Sequence, residues 1–117
     1  MGLDQALHIH PAGRSVKTQP IQVWRKHPNL QGMIEGIWSA RDEANNADNM
    51  NCCPVYLSEE DICHILEMIK SNKLPPTTGF FYGGDSSDYY REEDEKAFTR
   101  ALEALHTGFE VFYLCWW

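Results

Sequence analysis

The last nine residues, 109–117, place the strongest constraint on the fold of this chain. Bulky apolar and aromatic side chains occupy nearly every position of this segment, so both faces of an extended chain would be apolar. A glycine at position 108 precedes it and is typical of a helix end. A strand that is apolar on both faces belongs in the middle of a sheet. We therefore predict that residues 109–117 form a central strand covered on both sides.

Three other segments predict further strands. Residues 2–10 alternate between apolar and polar side chains, as a half-buried strand does. Residues 21–26 follow Pro20, whose missing N–H is tolerated at the start of a strand. Residues 54–57 form a short apolar run, and the polar residues 44–51 before it predict a loop.

Amphipathic periodicity predicts three helices, which begin near Asn29, at Ser58 and near Asp88. The second start is the clearest, because Ser58 can cap the helix and three acidic residues follow it. Gly32 and Gly36 lie four residues apart in the first helix, where each costs about 1 kcal/mol relative to alanine. Such a cost predicts close approach of another element there.

This order of elements predicts an α+β fold: a single domain over residues 1–117, with a mainly antiparallel sheet of three to five strands packed with three α-helices. The length of 117 residues suits one hydrophobic core. No apolar run is long enough to span a membrane, and the start lacks a signal-peptide pattern. We therefore expect a cytoplasmic protein with four reduced cysteines.

Charge is unevenly distributed along the chain, whose formal net charge is −7. Residues 1–41 carry five basic and two acidic side chains, whereas residues 42–117 carry five basic and fifteen acidic ones. Duplex nucleic acid is bound by broad basic surfaces, so this balance argues against general duplex binding. It permits a local anion site in the first part and an acidic surface in the second.

The candidate ligand site is a cationic cluster directly before the first helix. An indole, two fixed cations and an imidazole stand beside the positive end of a helix dipole, a combination suited to phosphate or carboxylate. An aromatic segment that enters a glycine turn is a second candidate, either as pocket lining or as core. The predicted ligand-binding residues are Trp24, Arg25, Lys26, His27, Asn29, Phe81 and Tyr82. In the competing interpretation, Arg25 pairs with Asp4 or Glu35 and Trp24 is ordinary core.

The sequence predicts no metal site and no cofactor. His8 and His10 share a strand face, but the remaining ligand-type residues match no zinc spacing. A catalytic interpretation would use His27 or His8 as a base oriented by a carboxylate, or Cys52 as a nucleophile. The carboxylates considered are Asp4, Asp85 and Asp88.

Several landmarks together resemble a family of small uncharacterised proteins common in bacteriophages and their hosts. Members open with an MGLD-like segment and carry YWRK-like and FFFG-like segments. The matching segments here are Met1-Gly2-Leu3-Asp4, Trp24-Arg25-Lys26, Asn51-Cys52, Val55 to Asp61, Leu74 to Gly83 and Trp116-Trp117. The resemblance implies a phage-type origin, hence the host cytoplasm, and implies no particular activity.

Three functions follow as hypotheses. The first is binding of an anionic small ligand without catalysis, for example sequestration of a host nucleotide signal by a homo-oligomer that counters host defence. The second is an acidic surface around residues 92–95 that binds and inhibits a host protein. The third is a small hydrolase or nuclease that uses His27 and nearby carboxylates.

Overall fold

Four antiparallel strands form one sheet in the order β2-β1-β4-β3. The computed structural model describes residues 3–13, 19–75 and 90–117. The predicted α+β fold is confirmed, with three substantial helices and a fourth of one turn. The elements are β1 (Asp4–Pro11), β2 (Gln19–Arg25), α1 (Pro28–Arg41), α2 (Ala47–Met50), β3 (Val55–Tyr56), α3 (Glu59–Lys70), α4 (Arg91–His106) and β4 (Phe109–Trp116).

The prediction that the last strand is central is confirmed. β4 pairs with β1 over its whole length, from Asp4 opposite Trp116 to Pro11 opposite Phe109, and with β3 on its other side. The same prediction expected other elements to cover both faces of β4. The described helices pack on one face of the sheet, the face that carries Leu7 and Tyr113. On the opposite face, the ring of Phe112 is shielded by neighbouring side chains of the sheet itself.

The core lies between the helices and the inner face of the sheet. Helices α3 and α4 pack together and place apolar stripes against inward-facing residues of β1, β2 and β4. Ser58 caps α3 as predicted, since its hydroxyl accepts from Asp61 N while the carboxylate of Asp61 accepts from Ser58 N. Fully buried members of this core include Leu3, Leu7, Trp24, Ile34, Ile62, Ile65, Phe98 and Tyr113.

Some element boundaries differ from those predicted. The stretch 44–51 contains α2, because Asn46 and Asn49 form a reciprocal capping box that stabilises one helical turn. β2 begins at Gln19 rather than after Pro20. The described part of α4 begins at Arg91, and the predicted start near residue 88 lies outside the described residues.

The expected close approach at Gly36 is wrong. A Cβ added at Gly36 would meet no atom within 4 Å, and the residue is exposed. It borders an open groove of about 620 Å³ between α1 and α3. Gly36 therefore leaves space beside α1 instead of permitting tight helix packing.

All four cysteines are free, and their environments differ. Cys115 is buried, and burial raises the pKa of its thiol to about 11. Cys63 is exposed on α3. Cys52 is exposed as well and Cys53 is partly exposed, so one thiol of the four is shielded from solvent.

Candidate functional site

The turn that joins β2 to α1 is held by hydrogen bonds on both sides of its backbone. We call residues 25–27 the basic turn. Lys26 N donates to Leu3 O at 2.9 Å. The side-chain amide of Gln5 contacts His27 twice, because Oε1 accepts from His27 N at 2.9 Å and Nε2 donates to His27 O at 3.0 Å. The basic turn is thus fixed to the buried start of β1.

Lys26 adopts a left-handed backbone conformation with φ of 57°. A residue with a side chain pays about 1–2 kcal/mol for this conformation. Strain of this kind persists only where the surroundings enforce it, and it occurs preferentially at functional positions. The bonds from Leu3 and Gln5 supply that enforcement here.

A buried carboxylate lies directly behind the basic turn. Asp94 of α4 is 1% exposed, and its Oδ1 accepts from Trp24 Nε1 at 2.7 Å. Its Oδ2 lies 2.6 Å from Nε2 of His27, which has no exposed surface. Because a carboxylate can only accept, Nε2 of His27 carries the proton in this contact. Trp24 also stacks on Phe98 with ring centroids 6.0 Å apart.

A chain of buried polar side chains continues from Gln5 across the inner face of the sheet. Gln5 Nε2 donates to the hydroxyl of Tyr113 at 2.8 Å, and that hydroxyl donates to Oε1 of Gln31. Gln31 Nε2 in turn contacts Cys115 Sγ at 3.5 Å. Satisfied networks of this kind specify one arrangement of the elements they join, here β1, β4 and α1.

The two fixed cations of the basic turn face outward. Arg25 and Lys26 are exposed, and the ion pairs of the described residues include neither of them. None of these ion pairs joins Arg25 to Asp4 or Glu35, although the register of β1 and β2 sets Asp4 directly opposite Arg25. The other part of the competing interpretation is confirmed, because Trp24 belongs to the buried core. The backbone of Arg25 is held as well, since the hydroxyl of Tyr90 donates to Arg25 O at 2.6 Å.

The structure thus divides the predicted site into a surface part and an interior part. Arg25 and Lys26 form the surface part. Trp24, His27 and Asn29 are at most 1% exposed, so the indole is not available at the surface to stack on a base. The first turn of α1 is buried too, which leaves the two cationic side chains as the outward-facing groups. Phe81 and Tyr82, also predicted, lie outside the described residues.

Sequence reasoning missed Asp94 and Gln5. Asp94 stands in the acidic run 92–95, which predicts an acidic surface rather than a buried side chain. The helical period carried the signal, because Asp94 lies four residues before Phe98 on the same face of α4. Gln5 lies between Leu3 and Leu7 on the inner face of β1, so strand alternation already placed it in the core.

The described residues contain no group of three or more side chains placed to hold a metal ion. The carboxylate beside His27 is Asp94 rather than Asp4, and the other two candidates, at positions 85 and 88, lie outside the described residues. Cys52 is exposed with φ of 62°, and its N–H donates to Cys115 O. The thiol of Cys52 donates to Asn51 Oδ1 at 3.5 Å, so the hydrogen bond that the structure gives this candidate nucleophile goes to an amide rather than to a base.

No protein-family model, curated protein or solved structure matches the chain. Within the residues that the structure describes, no helix is both long and apolar enough to cross a membrane.

Proposed function

We propose that this protein binds an anionic small molecule, with a nucleotide as the leading class, through Arg25 and Lys26 of the basic turn. The observation that carries this proposal is the exposure of both cations without a carboxylate partner among the described residues. Lys96 and Arg100 of α4 are also exposed without an ion pair. The basic turn differs from them because buried hydrogen bonds hold its backbone. The anion would take the place that a carboxylate occupies at other surface arginines.

The rigid backbone of the basic turn supports a binding role. Arg25 and Lys26 are adjacent, and hydrogen bonds hold their backbone. Tyr90 donates to the carbonyl of Arg25, and the N–H of Lys26 donates to Leu3 O. The next N–H, that of His27, donates to the side chain of Gln5. Preorganisation reduces the entropy lost when a ligand orders the site. Each charge-assisted hydrogen bond contributes about 1.5–3 kcal/mol, and the guanidinium can contact two oxygens of one phosphate.

The biological role we propose is sequestration of a host nucleotide signal by a phage-type protein. Binding rather than catalysis is favoured because the imidazole of His27 has no exposed surface. A hydrolytic reaction at His27 would require the substrate to enter the core. The phosphate groups of the ligand would lie against the two cations.

The runner-up proposal is an acidic surface on α4 that binds a basic patch of a host protein. Glu92 and Glu93 are exposed in the first turn of α4, whereas Asp94 is turned inward to the buried network. This surface is therefore smaller than the acidic run suggests. In this proposal, Arg25 contributes to stability alone.

The proposal is tested by thermal unfolding against mono-, di- and cyclic nucleotides, sugar phosphates and ADP-ribose derivatives. A ligand at 100 times its dissociation constant adds about 2.7 kcal/mol of stability. We expect at least one compound to shift the wild-type protein and to lose its effect with R25A or K26A. The matched controls are K96A and R100A on α4, both at exposed positions, which should keep the shift.

Two results would reject the proposal: no shift with any compound, or equal loss in the control variants. Recovery of unchanged compound after incubation separates binding from hydrolysis. Charge reversal at Glu92 and Glu93 tests the runner-up proposal. It should abolish binding of a basic host protein and leave binding of a small anion at the basic turn unchanged.

A further inference from the structure

Three side chains on neighbouring strands form one row across the sheet, on the face opposite the helices. Asp4 of β1 lies opposite Arg25 of β2 and also opposite Trp116 of β4. The adjacent row, which includes Gln5 opposite Trp24, is buried on the inner face. Since successive side chains of a strand alternate between faces, the first row points outward. We call Arg25, Asp4 and Trp116 the outer rung.

The side chains of the outer rung are accessible to a ligand. Arg25 is exposed, Trp116 is 38% exposed and Asp4 is partly exposed. Directly opposed residues on paired strands have Cβ atoms about 4.5–5.5 Å apart, and opposite charges placed there attract each other. The ion pairs within the described part of the chain nevertheless include neither Asp4 nor Arg25. A ligand can therefore engage both charged groups.

We propose that the outer rung binds one ribonucleotide laid across the strands, an inference that rests on the proposed function and assigns the rest of its ligand. The phosphate groups contact Arg25 and Lys26, the ribose hydroxyls donate to the carboxylate of Asp4, and the base stacks on the indole of Trp116. Ribose joins the base to the phosphate, so the ligand carries its three parts in the order of the three side chains. Strands about 4.8 Å apart set β4 roughly 10 Å from β2, a span that a nucleoside phosphate can bridge.

The carboxylate in the middle of the outer rung selects for ribose. An ionised carboxylate only accepts hydrogen bonds, and the neighbouring 2′- and 3′-hydroxyls of ribose supply two donors. Acidic residues hold a ribose hydroxyl in this way in dinucleotide-binding folds. An acidic peptide fits less well, because it would bring further negative charge against Asp4. A sugar without these hydroxyls would leave the carboxylate without a partner.

The indole adds affinity without selecting a particular base. Every base has a π-face, and stacking on an aromatic side chain is worth roughly 5- to 150-fold in affinity. The next row along the strands is apolar, with Val23, Ala6 and Leu114 in register, so it offers the base no further polar partner. The net charge of −7 disfavours a long polyanion such as RNA. We therefore expect single ribonucleotides with different bases to bind with similar affinity.

The first test compares three ligands by isothermal titration calorimetry: ADP, its 2′,3′-dideoxy analogue and inorganic pyrophosphate. Wild type should bind ADP at least tenfold tighter than either of the others, through the ribose contacts and the stacked base. D4A should bind ADP and the dideoxy analogue equally. It should bind pyrophosphate at least as tightly as wild type does, because it loses a negative charge beside the cations. The control E110A removes a half-exposed carboxylate at the far end of the same face and should keep the wild-type preference.

The second test concerns the indole. W116L should weaken ADP binding at least fivefold and leave pyrophosphate binding unchanged. Y56L is the matched control, since Tyr56 is an exposed ring on the same face but lies in the row of Phe112, four residues along β4. Thermal unfolding verifies that both variants are folded. The comparison of ligands on wild type does not depend on the folding of any variant.

The outcomes separate this inference from the proposed function. Equal affinity of wild type for ADP and its dideoxy analogue, or equal losses in W116L and Y56L, overturns the ribonucleotide site. Pyrophosphate binding that R25A abolishes, with ADP bound no more tightly than pyrophosphate, supports the proposed function and overturns this inference alone. Absence of binding by both ADP and pyrophosphate overturns both.

Discussion

Oδ2 of Asp94 lies 2.6 Å from Nε2 of His27, and neither side chain is more than 1% exposed. The same carboxylate holds the indole N–H of Trp24 through its other oxygen. One buried side chain of α4 therefore fixes the residues on both sides of Arg25 and Lys26. The interior contact supports the backbone from which the two surface cations project.

Replacement of Asp94 tests this support. We expect D94A to lower the free energy of unfolding by about 3–5 kcal/mol, because the variant leaves buried donors of His27 and Trp24 without their acceptor. Urea denaturation measures the change. Glu92 is an exposed acid in the same helical turn, and E92A should cost less than about 1 kcal/mol. Similar losses in the two variants would contradict the assigned role of Asp94.

Lys26 should show opposite effects on stability and on binding. We expect K26G to raise the free energy of unfolding by about 0.5–1 kcal/mol, because glycine adopts the left-handed conformation without strain. The same variant should weaken anion binding roughly 10- to 100-fold through loss of one charge-assisted contact. K26A is the control, since it removes the charge but keeps the strain. A lower free energy of unfolding in K26G would contradict the claim that the backbone of Lys26 is strained.

Two glycines with open space around them should respond in opposite directions to alanine. Gly36 lies within α1, where G36A should stabilise by about 0.5–1 kcal/mol through helix propensity. Gly108 has φ of 88°, so G108A should destabilise by about 1 kcal/mol despite equal space for a methyl group. Thermal unfolding of the two variants measures both signs. A loss of stability in G36A would mean that the groove beside α1 has an undescribed packing role.

His8 predicts a pH dependence of stability. Its ring stacks on Phe112 at 4.8 Å, and burial lowers the pKa of the imidazole below 6.5. The folded state then binds the proton less tightly than the unfolded state, so the contribution of His8 is complete above about pH 6.5 and is lost as pH falls through the lowered pKa. Wild type should therefore lose more stability than H8F in acid. Parallel pH profiles of urea unfolding would contradict this.

Two elements could be predicted from sequence because their local residue pattern is compatible with a single position in a fold. The apolar segment 109–117 has no stable position except within a sheet, and β4 is central. Ser58 with the acids after it fits a helix start and little else, and α3 begins there. In both cases residues close together in the sequence were enough to predict the element, through an apolar run in β4 and through an N-cap in α3.

The buried network was not predicted because its members come from distant parts of the chain. Trp24, His27 and Asp94 meet only after β2 has paired with β1 and α4 has packed on the sheet. A composition-based interpretation placed Asp94 in water with its acidic neighbours. The exposure of Arg25 was likewise unresolved, since the sequence alone permitted a carboxylate partner.

The most direct test of anion binding at the basic turn is nitrogen–proton correlation NMR during titration with inorganic pyrophosphate. We predict that the largest shift changes fall on the amides of Arg25, Lys26 and their neighbours, and that R25A/K26A abolishes them. The control K96A/R100A removes the same charges from α4 and should keep them. Shifts absent from residues 25–27, or centred on α4, would contradict the account.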